Sequence, residues 1–124
     1  MKDKRVMVCV TKQRNCERLI HMGRMLAQQE QHKLSVVNVE LPGANFLGSD
    51  DEGEALEYLF QVSSAYQADM TVLKDDDVVE TLIRYAKENG VRKIVIGRAL
   101  GPESEYSIVN RLKKELRNVE VYVS

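Results

Sequence analysis

Two short segments carry side chains suited to holding an anion. The first is Thr11-Lys12-Gln13-Arg14-Asn15, and the second is Gly97-Arg98-Ala99-Leu100-Gly101-Pro102. Each follows an apolar run and precedes a stretch of helical periodicity, so each should lead from a strand into a helix N-terminus. Such an end offers backbone N–H groups without intrahelical partners and the positive end of the helix dipole, which together attract phosphate. Lys12, Arg14 and Arg98 add positive charge, and Gly97 and Gly101 let backbone approach a ligand closely. The bland alternative is that the glycines only turn the chain and the cations only face solvent.

The other polar clusters read as structure. Asp77 with Glu80 three residues later has the spacing of a capping box, and Asp75 and Asp76 suit the same helix N-terminus. A phosphoacceptor of the receiver type needs carboxylates directly after the first strand, where Thr11 and Lys12 stand instead. His21 and His32 have no partner at zinc spacing, so surface histidines and no metal are expected. Cys9 lies within an apolar run and reads as a free core thiol. Its separation from Cys16 matches no usual redox or zinc motif, and a reducing compartment follows. Asp50-Asp51-Glu52 reads as a solvated loop. Arg111, Lys113, Lys114 and Arg117, alternating with Glu115, read as an exposed helix face. No nucleophile stands beside a base in any local motif, so binding and regulation are expected ahead of catalysis.

The elements that must position these residues alternate. Arg5 to Val10 reads as a buried strand, with Val6-Met7-Val8-Cys9-Val10 unbroken. A helix follows, capped at Asn15, with Leu19, Met22, Gly23, Leu26 and Ala27 on one face. Lys33 to Glu40 is a second strand, Leu41 to Gly53 a loop, and Glu54 to Gln67 a helix with Leu56, Leu59, Phe60 and Ser63 on one face. Met70 to Leu73 is a short strand. The helix begun at Asp77 buries Val79, Leu82, Ile83 and Ala86 and stops at Gly90. Lys93 to Ile96, a helix over Ser107 to Arg117 with Val109, Leu112 and Leu116 inward, and a strand over Val119 to Val123 complete the chain. Regular strand–helix alternation predicts an α/β fold: a parallel sheet with helices on both faces. In such sheets a ligand binds at the carboxyl ends of the strands where the strand order reverses. Both anion-suited segments belong at that place.

Bulk composition agrees with one domain over residues 1–124. A hydrophobic share of 44% supports a packed core rather than disorder. With 18 basic and 19 acidic residues, the net charge of −1 gives no electrostatic basis for nucleic acid as a partner. No apolar run is long enough for a membrane span or a signal-peptide core, so a cytoplasmic location is expected.

The stretch from Asp76 to Gly97, DDVVETLIRYAKENGVRKIVIG, resembles the "DVAEAILEYARENGVTKIVVG" segment of the universal-stress-protein domain in KdpD-type osmosensitive potassium-channel sensor histidine kinases. Arg5 to Thr11 resembles that family's first strand, Glu17-Arg18-Leu19-Ile20 its first helix, and Val37-Asn38-Val39-Glu40 its second strand. Ser107 to Leu112 and Val119 to Val123 are similar to its last helix and strand, so the resemblance runs over nearly the whole chain. It implies an open five-stranded sheet in the order 3-2-1-4-5, of the adenine-nucleotide alpha-hydrolase-like kind. It also implies a homodimer joined through the C-terminal strand, and a sensor-kinase or signalling partner. It further implies ATP or another adenine nucleotide as ligand, held by Thr11, Lys12, Val39, Gly97, Arg98, Gly101 and Ser107. ATP-binding members carry G-x2-G-x9-G-(S/T) after the fourth strand. Here Gly97 and Ser107 fit, Leu100 takes the second glycine's place with Gly101 one position later, and Tyr106 takes the third. Eight residues separate Gly97 from Tyr106, which leaves the loop about four short. Thr11 stands where the wider family has an acid and KdpD modules have serine. Some KdpD modules bind cyclic di-AMP through S-x-S, twenty residues, then F-T-A-x-Y. The spacing recurs here from Thr11 to Asn38, but only Thr11 and Ser35 are conservative replacements.

Overall fold

A computed structural model describes residues 4–10, 16–40, 49–74, 78–96 and 102–123. Five strands, β1 (Arg5–Val10), β2 (Lys33–Glu40), β3 (Asp69–Lys74), β4 (Val91–Ile96) and β5 (Glu120–Val123), alternate with four helices. The helices are α1 (Cys16–Glu30), α2 (Ser49–Ala65), α3 (Val78–Asn89) and α4 (Pro102–Glu115). The strands form one sheet in the order β3-β2-β1-β4-β5. Every pairing is parallel, with Val8 opposite Val36 on one side and Val95 on the other. The apolar runs become the central strands because both of their faces are covered. Val8, Val36, Val37 and Val95 are wholly buried.

Side-chain alternation along each strand divides the interior in two. Val6, Val8, Leu34, Val36 and Val95 pack with Leu19, Ile20 and Ala27 of α1 and Leu59 and Val62 of α2. Met7, Val37, Ile94 and Ile96 pack with Leu82, Ile83 and Ala86 of α3 and Leu112 and Leu116 of α4. Gly23 sets the distance of α1 from the sheet: a methyl group there would stand 2.4 Å from Val8 Cγ2 and 2.9 Å from Leu34 Cδ1. Polar groups join neighbouring elements. Arg24 of α1 donates through Nε to the Tyr66 carbonyl at 2.9 Å and through Nη2 to the carbonyls of Tyr66 and Gln67 at the end of α2. Arg5 reaches across the sheet, its Nη1 donating to Ser35 Oγ at 2.9 Å and to Asp69 Oδ2 at 3.0 Å.

Several boundaries differ from the sequence reading. Asp50-Asp51-Glu52 and Gly53 belong to α2, not to a loop. Acids in a first helical turn are favoured by the dipole, which offsets the poor helix propensity of one glycine. Helix α4 starts at Pro102, five residues before Ser107, because proline is well suited to a first helical position. Phe60 is not on the inner face of α2 but 59% exposed, while Leu59 and Ser63 are buried. Strand β4 begins at Val91, where Arg5 pairs with Val91 but Val6 with Lys93, so one extra residue bulges at Arg92. His32 is not a surface histidine. Its side chain is 7% exposed and its Nε2 lies 3.4 Å from Glu30 Oε2. It follows Gln31, which has φ 57, and its N–H donates to the Ala27 carbonyl at 2.8 Å. That is the helix-ending arrangement in which the second residue past the helix folds back onto the last turn. His21 does face solvent, edge-on to Tyr66. The expected cap Asp77 lies outside the described residues.

Candidate functional site

The strand order reverses at β1. The chain passes from β1 to β2 and β3 on one side, then crosses to β4 and β5 on the other. Cys9 lies between Val37 and Ile96 in register, so the carboxyl ends of β1 and β4 are neighbours. This is the switch point at which open parallel sheets bind ligands. Thr11 and Lys12 follow Val10 in sequence, and Gly97, Arg98 and Gly101 follow Ile96. These five candidates lie outside the described residues. Val39 is in β2, in register with Leu73 and one position past the Asn38–Val10 pair.

Ser107 is the sixth residue of α4. Its N–H therefore falls within the range of ordinary intrahelical bonds, beyond the free donors of the first turn. The first turn itself opens on Pro102, which has no N–H, and carries Glu103 and Glu105 nearby. This helix end is a poorer phosphate cradle than its glycine-rich approach suggests. At α1 the first turn holds Glu17, whose charge also occupies the positive end of a dipole.

Asn38, the last residue of the cyclic di-AMP spacing, lies near this end of the sheet. It is 2% exposed, in the last part of β2 beside Val10. Among the described residues it is one of the few polar ones buried in the core. Its sequence signal is a polar residue interrupting Leu34 to Val39, which is equally the signature of a buried structural hydrogen bond.

The titratable groups nearby are not set up as nucleophiles. Burial pushes the Cys9 thiol up to about 12, although part of the residue's surface remains open. Burial also raises the Cys16 thiol, outweighing backbone N–H groups at the start of α1 that lower it. Both sulfurs are free and stay protonated near neutral pH, which makes them inert. The Tyr58 phenol is raised by desolvation and by the Glu17 carboxylate, which places the middle of α2 against the first turn of α1. Among the described residues no group of three His, Cys, Asp or Glu side chains could hold a metal ion. No described helix is long and apolar enough to cross a membrane.

No protein-family model matches the sequence, and no curated protein matches it. Solved structures do. A universal stress protein from Archaeoglobus fulgidus superposes with a TM-score of 0.75 at 20% identity, over 99% of this chain and 94% of that one. A universal stress protein from the same organism in complex with dAMP gives 0.66 at 21% identity, over 99% and 98%. A universal stress protein in complex with cAMP gives 0.70 at 14% identity, over 100% and 98%. At these identities the likeness is one of architecture, carried end to end by the sheet order and the two helical layers. The chain has the fold of the universal stress proteins.

Proposed function

We propose that this chain is a universal-stress-protein-like regulatory module that binds an adenine nucleotide weakly at the carboxyl ends of β1 and β4. The observation that carries the reading is the switch point between those strands, from which the Thr11–Lys12 and Gly97–Arg98 segments leave. Proteins of the same fold hold dAMP and cAMP, which supports the ligand class. In this reading Lys12 and Arg98 neutralise phosphate, Gly97 and Gly101 allow its approach, and Thr11, Val39 and Ser107 complete the surroundings. The degenerate glycine pattern, Pro102 and the acids at the start of α4 all weaken the phosphate cradle. ATP should therefore bind with a dissociation constant of tens of micromolar or more, about −6 kcal/mol. The resemblance from Asp76 to Gly97 supports service in a KdpD-like sensor system in the cytoplasm.

The proline and carboxylates of the α4 first turn favour a second reading: a ligand-free module that dimerises or docks on a kinase. Calorimetry with ATP on the wild type and Gly97→Val, with mass spectrometry of small molecules released on denaturation, separates the two. Weak binding lost in the variant upholds the first reading. Sub-micromolar affinity contradicts the weakened cradle, and no heat with any adenine nucleotide leaves the ligand-free module.

A further inference from the structure

At the amino ends of the strands, opposite the switch point, a hollow of about 280 Å³ opens between the end of α3, the start of β4 and the turn from α4 to β5. Its floor includes Ala86, Val91 and Leu116, all buried. Its rim carries Lys87, Arg92 and Arg117, all exposed. The bulge in β4 brings Arg92 there, and the bond from the Arg5 N–H to the Gly90 carbonyl, 3.0 Å, fixes the strand start beside it. Glu115 is the only acid on the wall, and its carboxylate lies 3.5 Å from Arg111 Nη2. Among the described residues, no carboxylate is paired with the three rim cations. Two helix C-termini, α3 and α4, also end here and contribute roughly half a negative charge each. Together with Glu115 they leave the rim net positive.

We propose that this hollow is a site for a small organic anion with an apolar body, such as an aromatic or branched-chain carboxylate. An apolar floor under a cationic rim matches an amphiphilic anion at both ends. The volume lies at the small end for ligand pockets, which suits a metabolite of one ring rather than a nucleotide. Like charges lining one hollow repel one another, and an anion relieves that repulsion. The inference is independent of the nucleotide reading, because the two places lie at opposite ends of the sheet.

The test is a titration of the isotopically labelled chain followed by amide NMR, at constant ionic strength. The probes are benzoate, acetate and inorganic phosphate. Benzoate should move the amide signals of Gly90, Val91, Asn118 and Val119 to saturation, with a dissociation constant of roughly a millimolar. Acetate, with no apolar body, should bind at least about tenfold more weakly. Arg92→Glu with Arg117→Glu should lose benzoate at least about tenfold. Arg84→Glu, outside the hollow, should leave it unchanged. A well-dispersed spectrum of the double variant shows that it is folded. Shifts that never saturate, an equal response to phosphate and benzoate, or full benzoate binding by the folded double variant would overturn the proposal.

Discussion

Gln31 and Gln67 each hold a left-handed backbone, with φ 57 and 58, at the ends of α1 and α2. Each takes the place that helices usually give to glycine: the Gln67 N–H donates to Ser64 and the following Ala68 N–H to Ser63, at 3.0 and 2.9 Å. A Cβ in that conformation costs about 1 kcal/mol, partly offset because glycine loses more entropy on folding. Gln31→Gly and Gln67→Gly should therefore each stabilise the fold by about 0.5 kcal/mol, seen as a rise of about 2 °C in the thermal midpoint. A fall in either midpoint would mean that the glutamine side chain does more than end the helix. Neither position was legible in advance, since nothing in the sequence marks a glutamine as left-handed. Gly90, with φ 69 at the end of α3, was legible because glycine is the usual residue there.

Beside their apolar packing, α1 and α2 are joined by the Arg24 side chain. Arg24 spans the carbonyls of Tyr66 and Gln67 just past α2, at the negative end of its dipole. Arg24→Ala should cost about 2 kcal/mol in urea unfolding and raise hydrogen exchange most in the last turn of α2. Arg24→Lys should recover less than half, because an ammonium cannot present a planar fork to two carbonyls. An unchanged urea midpoint would show the bonds to be replaceable by water. The strands were legible to within two residues because continuous apolar runs have few other uses. The starts of α2 and α4 were not. Gly53 and Pro102 read as loop residues by type, yet both stand in helices, Gly53 among the acids that open α2 and Pro102 at the first position of α4.

Over the whole molecule, strand alternation and helical periodicity made the α/β class readable. The resemblance supplied the strand order, which pattern alone leaves open among the right-handed arrangements. Less of the candidate site was legible. Five of its residues fall in segments between elements, where neither periodicity fixes geometry, and the α4 boundary removed Ser107 from the terminal donors. The sheet has two edges, β3 and β5. Val121, Tyr122 and Val123 of β5 are half-buried, on a strand with an unpaired backbone edge. Such an edge tends to take up another chain. A homodimer joined antiparallel through β5 is therefore the expected state in sedimentation equilibrium, and Val123→Pro should shift it toward monomer. Wild-type monomer at high protein concentration would contradict this assembly.

The two-sided interior also separates the thiols. Cys16 belongs to the layer under α1 and α2, and Cys9 lies against the layer under α3 and α4. Cys16 is buried, so a reagent that alkylates sulfur reaches it only when its own side of the sheet gives way, whereas Cys9 keeps part of its surface open. The labelling rate of Cys16 is thus an internal clock for the opening of the layer under α1 and α2.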